Sequence, residues 1–349
     1  MGAVADHLEL ICDEEHRLIE LESIRPLSLA GGRDLAFVAE KKYLCELGAT
    51  EAACVLLKPE WVAECPVPSL ATDEPYLAYA KASSLFSREP RPEPGVHPTA
   101  VVHESVDVPA SASIGAFVCV EAGVVLGEGV VVHSGCHLGQ EARIGARTVL
   151  HPRVVLYHCV VIGKDCAIHA NTVIGADGFG FARHSEGWSK ISQLGSVLIG
   201  DRVDVGASST IDRGALEDTV IGNDVIIDDQ VHIGHNCVVG DGTAFAGCVG
   251  VAGSTSIGKD CTFAGQVGIA GHIEICDGAH FTGQARVTGS IKQAGEYASG
   301  TPLGPRREWS KNAVRFNKLD GMYRRIAALE AALDAAESSA EYDSGASDS

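Results

Sequence analysis

Residues 113–150 read SIGAFVCVEAGVVLGEGVVVHSGCHLGQEARIGARTVL, and every sixth place is aliphatic: Ile114, Val120, Leu126, Val132, Leu138, Ile144 and Leu150. The same beat starts at Val96 and continues through Leu156, Ile162, Ile168 and Ile174, fourteen positions without one failure. Four places after each comes a small or β-branched residue, among them Ala112, Val118, Cys136, Thr148 and Thr172. A helix repeats at 3.6 residues and an ordinary strand at two, so a period of six needs another geometry. Two inward places in six describe a flat facet and a corner. Three facets close a triangular coil, and stacked coils pair each strand with its equivalent one turn away, about 4.8 Å along the axis. The predicted fold is mainly β, a parallel β-helix of hexapeptide repeats, with each residue above the one 18 places earlier.

The beat stops after Ile174 at GADGFGFARHSEGWSKISQLG, residues 175–195, and resumes at Ile199, Val205 and Ile211. A slip of four residues follows. Ile221, Ile227, Ile233, Val239, Phe245, Val251 and their successors then keep step to Val287. An insertion that interrupts a solenoid without ending it projects as a loop, and such loops commonly carry function. The solenoid is therefore set at 96–300, with its inserted loop at 175–195. Before it, residues 1–95 mix a helical start with strand-like pieces (DLAFVA, AACVLL) and end in the proline-rich REPRPEPGVHP, which reads as a small α/β domain and a linker. After it, Phe316, Leu319, Met322, Ile326, Leu329 and Leu333 fall at helical spacing, so 301–336 is predicted as a C-terminal helical segment able to associate with copies of itself. The small and acidic residues 337–349 are expected to be a disordered tail.

Composition agrees with many short strands: 40 glycines and only 5% aromatic residues. A net charge of −19 argues against nucleic acid or an anionic membrane bound through a general basic surface. There is no run of 18 apolar residues to span a bilayer. Twelve cysteines with no apolar signal segment in Met1–Glu15 are read as free thiols in a reducing cytoplasm. Cys119, Cys136, Cys159, Cys166, Cys237, Cys248 and Cys261 lie in the repeats without C-x-x-C spacing, so packing as small hydrophobes is the reading preferred over metal ligation.

The richest candidate site is IDDQVHIGHN, which holds Asp228, Asp229, His232, His235 and Asn236 inside the regular register. His235, Gly253 and Gly271 each stand two places past an inward aliphatic, so they stack, and His272 follows directly. An imidazole one coil from a glycine with an unobstructed N–H supplies a proton acceptor and an oxyanion donor, two parts of acyl transfer. His232-x-x-His235 also resembles a zinc ligand pair, although residues three apart on a strand point to opposite sides. Flat exposed sides make a homotrimer the expected assembly, with clefts between subunits.

GADGFGFA, STIDRGALEDTVIG, IDDQVHIGHN and SGTPLGP, in this order, resemble the UDP-3-O-acylglucosamine N-acyltransferases, and the likeness runs from about Asp34 to Leu329. The resemblance implies a left-handed coil. It implies His235 as general base assisted by Asp228, Gly253 as oxyanion donor, and His272 as a second essential or substrate-contacting residue. It implies transfer of a 3-hydroxyacyl chain from the 4'-phosphopantetheine thioester of acyl carrier protein to the 2-amine of a UDP-sugar in lipid A biosynthesis, with no metal and no redox cofactor. It also places uracil against Phe37 and Tyr43, in DLAFVAEKKYL. Relatives often carry asparagine where Glu40 stands, which changes the hydrogen bonds offered to uridine. Asp177, Phe179 and Phe181 of the insertion either line the sugar or acyl pocket or simply pack down.

Seven basic residues, Arg306, Arg307, Lys311, Arg315, Lys318, Arg324 and Arg325, face two acidic ones between 306 and 325. This local excess in an acidic chain suits docking of an acidic carrier protein; a solvated helix face is the competing reading. Two other functions remain open: a coenzyme A-dependent sugar-nucleotide N-acetyltransferase, and a non-catalytic or metal-binding β-helix trimer.

Overall fold

The computed structural model describes residues 1–88, 90 and 92–344, with 336–344 described by their backbone alone. They fall into two compact units, which divide between residues 90 and 92.

In the first unit four short strands, Ser23–Ile24, Asp34–Phe37, Cys54–Leu57 and Ser69–Ala71, pair in parallel in the order of the sequence. A parallel sheet is normally covered on both faces, and alternation along the strands does that here. Leu35, Cys54, Leu56 and Leu70 pack against Val4, Ala5, Ala78 and Ala82 of the helices Gly2–Leu8 and Pro75–Ser83. Ala36, Val55 and Leu57 face the other way, against Leu27, Leu47 and Trp61.

The second unit is a parallel solenoid, mainly β. Among the described residues its three facets hold eleven, ten and eight strands, most of two residues. The register repeats as the spacing predicts: Ile114 over Val132 over Leu150 on the first facet, Val120 over Leu138 on the second, Leu126 over Ile144 on the third. The 175–195 insertion stretches one step to Ile162 over Ile199, and the four-residue slip stretches the next to Ile199 over Ile221. Neither breaks the stack.

Burial explains why the pattern is so strict. The sixth-place aliphatics are almost fully enclosed, and a Phe245–Phe263–Phe281–Tyr297 ladder, with centroids 4.9–5.4 Å apart, fills the C-terminal coils. Buried hydroxyls are satisfied by a carbonyl of the next coil, Thr148 by Gly163 and Thr172 by Gly206. Coils stack so closely that a Cβ on Gly127 would lie 2.4 Å from the Ala146 nitrogen, which is why glycine follows the aliphatic there. Of the seven repeat cysteines, Cys136, Cys166, Cys237 and Cys261 are buried in the core and Cys119 is half-buried. Cys159 and Cys248 depart from the packing expectation: they occupy left-handed corner positions and are exposed.

The C-terminal helices are Arg306–Phe316 and Leu319–Ser344. The second continues past 336 into the expected tail, because AALEAALDAAESSAE is rich in the strong helix formers Ala, Leu and Glu. The remaining tail residues, 345–349, lie outside the described residues. Among the described residues no helix is long and apolar enough to cross a membrane.

Candidate active site

The second facet carries an outward row in which His232, Gly250, Gly268 and Arg286 stand in register on successive coils. Nothing lies within 4 Å of the place a Cβ would take on Gly250 or Gly268, so the two glycines leave the floor bare. Around that floor opens a groove of about 760 Å³ lined by Phe179, Asp212, His232, His235, Gly253 and Arg286, among others.

His235 is half-buried at the corner that follows this facet, its ring held between two glycines. A Cβ on Gly253 would stand 2.7 Å from His235 Nε2, and one on Gly178 would stand 2.6 Å from His235 Cβ. Any side chain at either place would displace the imidazole. The Ser254 N–H donates to the His235 carbonyl at 2.8 Å, joining the two coils, while the Gly253 N–H has no acceptor among the described residues. The His235 Nδ1 lies 3.0 Å from Asn236 Oδ1. Proton acceptor and unengaged peptide donor therefore meet at one wall of the groove, as the period of the repeats predicts.

Asp228 is different. It sits one corner earlier, lining a separate groove with His169, Asp204 and Phe245, and its carboxylate accepts the Asp229 N–H at 2.8 Å. The assistance to His235 that the resemblance implies is not made within one chain, because the corners before and after a facet face different sides of the prism. The acid that shares the groove with His235 is Asp212, whose carboxylate lies 3.7 Å from His232 Nε2. Burial lifts the Asp212 carboxyl above the usual carboxylate range, although His232 and His235 pull the other way. His232 is also tied through Nδ1 to Thr210 Oγ1 at 2.8 Å. The sequence did contain the signal for Asp212: once the four-residue slip is counted, Ile211 lies over Ile233 and Asp212 falls beside the site.

His272 occupies a left-handed corner (φ 59°), exposed, with its N–H donated to the Gly253 carbonyl at 3.2 Å. Its side chain does not line the groove. In the insertion, Phe181–His184 and Gly187–Lys190 form an antiparallel hairpin. Phe179 is 87% exposed, lines the groove and tilts against Phe181 at 5.3 Å, whereas Asp177 is ion-paired to Lys190. The Cys237 thiol, next to Asn236, is pushed up to about 11 by burial and is no rival nucleophile. Among the described residues no three His, Cys, Asp or Glu side chains are placed to hold a metal ion.

In the first unit Phe37 stacks on Tyr79 (4.2 Å, 13°) and tilts against Tyr76. Tyr43 is partly exposed under the Lys42 ammonium, and Lys42 pairs with Glu40 at 2.8 Å. Tyr76 and Tyr79, which continue the aromatic surface of Phe37, lie about 40 residues downstream and carried no local signal. On the helix Arg306–Phe316 the residues Arg307, Lys311 and Arg315 are four apart and form one exposed basic stripe; Arg306, Lys318, Arg324 and Arg325 are exposed too, with Arg324 paired to Asp320.

Hexapeptide coils with an imidazole packed on a glycine of the next coil, beside an open groove, mark a hexapeptide-repeat acyltransferase. A family model of bacterial transferase hexapeptides matches residues 141–176 and 218–253, and the model for UDP-3-O-(3-hydroxymyristoyl) glucosamine N-acyltransferase, LpxD, matches 19–85. A curated UDP-3-O-acylglucosamine N-acyltransferase of Chromohalobacter salexigens is 53% identical over 333 residues, 95% of each chain. One from Pseudomonas aeruginosa (strain UCBPP-PA14) is 46% identical over 348 residues, 99% of this chain and 98% of its own. The chain belongs to the UDP-3-O-acylglucosamine N-acyltransferase family. Among solved structures, an Arabidopsis UDP-N-acetylglucosamine acyltransferase superposes with a TM-score of 0.51 at 24% identity, over 58% of this chain and 71% of that one, and shares the fold.

Proposed function

We propose that the chain moves a 3-hydroxyacyl group from the phosphopantetheine thioester of acyl carrier protein to the 2-amine of a UDP-3-O-acylglucosamine, a cytoplasmic step of lipid A synthesis. The observation that carries this reading is His235 Nε2 lying against Gly253 at the wall of a groove with a bare floor. Family membership supplies the substrates.

In the reaction the amine nitrogen attacks the thioester carbonyl carbon while His235 Nε2 accepts a proton from that nitrogen. The carbonyl oxygen becomes an oxyanion within reach of the Gly253 N–H. As the tetrahedral species collapses the C–S bond breaks, and the thiolate takes the proton back from the imidazolium. The products are an amide and a free pantetheine thiol. The balance needs no metal and no redox cofactor, so chelation should leave turnover unchanged.

Phe37 and Tyr43 are proposed to hold uracil, Phe179 to contact the sugar or acyl chain, and His272 to contact substrate from the next coil. A homotrimer fits two observations: the grooves lie open along flat facets, and Asp228 faces a different side of the prism from His235. In a symmetric trimer the Asp228 side of one copy would lie against the His235 side of the next, giving Asp228 a place in the site. The exposed basic residues from Arg306 to Arg325, on both C-terminal helices, are the proposed dock for the acidic carrier.

The test is donor choice. Purified protein is expected to acylate a UDP-3-O-acylglucosamine from 3-hydroxyacyl carrier protein and to use acetyl-coenzyme A poorly; efficient acetyl transfer would overturn the reading.

A further inference from the structure

Asn236 occupies a left-handed corner, φ 59°. The backbone there does not demand asparagine, since Ser254 and His272 hold the equivalent corners of the next two coils at φ 60° and 59°. What sets Asn236 apart is its side chain. Its Oδ1 accepts the Ala215 N–H at 2.9 Å, its Nδ2 donates to the Glu217 carbonyl at 3.0 Å, and its own N–H donates to Thr219 Oγ1 at 2.9 Å.

Those partners remove the usual ambiguity of an amide. A peptide N–H can only donate and a peptide carbonyl can only accept, so the atom facing Ala215 is oxygen and the atom facing Glu217 is nitrogen. The oxygen is also the atom 3.0 Å from His235 Nδ1. An oxygen with no hydrogen can only accept, so the neutral imidazole carries its hydrogen on Nδ1. The lone pair is then left on Nε2, the nitrogen that lies against Gly253.

Ala215 and Glu217 belong to the four-residue slip between Ile211 and Ile221, an irregularity for which the repeat offers no reason. The slip is in turn tied to the end of the insertion, where Leu194 N–H donates to the Ala215 carbonyl at 2.8 Å and Gly195 N–H to the Gly214 carbonyl at 3.0 Å.

We propose that Asn236, gripped by the backbone of the 214–218 slip, is a positioning residue that fixes the tautomer of His235 and aims its Nε2 into the groove. The inference rests on His235 acting as base. It adds a residue and a loop to the machinery without changing the reaction. The titratable and charged groups lining the groove with the imidazole are Asp212, His232 and Arg286, with Asp177, ion-paired to Lys190, influencing Asp212.

The test compares Asn236→Gly, Asn236→Asp and His235→Gln in the full chain, measuring kcat, KM, the pH profile of kcat/KM and the melting temperature. Glycine tolerates the left-handed corner but removes the acceptor. It should lower kcat about tenfold or more, the equivalent of losing one ordinary hydrogen bond, with KM for the nucleotide little changed. Aspartate keeps an acceptor toward Nδ1, so it should recover part of kcat. Its charge favours the imidazolium and should move the acidic limb of the profile upward. A folded Asn236→Gly with wild-type kcat, or an Asn236→Asp profile whose acidic limb does not move, would overturn the inference. If either occurs while His235→Gln is inactive, only the positioning role falls; an active His235→Gln removes the base itself, and the inference with it.

Discussion

Gly178 of the insertion packs directly on His235: a methyl added to Gly178 would lie 2.6 Å from His235 Cβ and 2.9 Å from Cγ. The insertion thus does more than project from the solenoid, because its first turn forms one wall of the imidazole's slot. Gly178→Ala should lower kcat at least about tenfold, since the ring must leave its slot, while the fold persists. Unchanged kcat in a protein that melts like the parent would mean the ring has room that the structure does not show.

Removing the base itself should cost more. His235→Ala is expected to reduce turnover by about two to four orders of magnitude, the scale of general base assistance. Gly253→Ala places a methyl 2.7 Å from Nε2, where the thioester has to approach, and should be comparably damaging with little loss of stability. Near-normal steady-state rates for either folded variant would remove that residue from its role.

Asp212 gives a pH dependence whose sign can be worked out. Burial raises its carboxyl pKa in the folded chain, so between the unfolded and folded values the native state holds the extra proton. The stability from this group is present below the unfolded pKa and is lost as pH rises through the folded pKa. At neutral pH the buried charge is a cost. Asp212→Asn should therefore melt higher than the parent at pH 7, and the difference should shrink as pH falls to about 4. Melting curves in which the gain grows on acidification would contradict this.

In the core, Phe263 lies between Phe245 and Phe281 with centroids 5.0 and 4.9 Å away and is 1% exposed. Phe263→Ala should cost about 3–5 kcal/mol, because stacked coils cannot close the gap without breaking register. Denaturant unfolding measures it, and a cost below about 1 kcal/mol would show that the coils can collapse.

For the carrier, reversing charge at Arg324 and Arg325 should raise KM for the protein-bound donor more than KM for the nucleotide, with the effect weakening as salt is added. An equal change in both would place docking elsewhere.

The solenoid was legible because it is nearly one-dimensional: each coil contacts only its neighbours, so Val96 to Ile174 displays the fold one residue at a time. The meeting of His235 with Gly253 was legible for the same reason, as a spacing of 18 in an unbroken register. Phe37 was visible as an aromatic in a short strand, but its stack on Tyr79 was not, since the α/β unit joins strand and helix through a non-local core.

Sequence alone determined the coil, its facets, and the stacking of an imidazole on a glycine one coil away, all consequences of periodicity. Tertiary structure decided what holds the ring and which tautomer it takes, and that Asp228 lines another groove. Gly178 reaches His235 only because 175–195 folds back onto the coil, Asn236 is held in place by the backbone of 214–218, and Asp228 stays away because a corner turns it to another side. A period predicts what lies above what; where an interruption of that period comes to rest depends on contacts outside it.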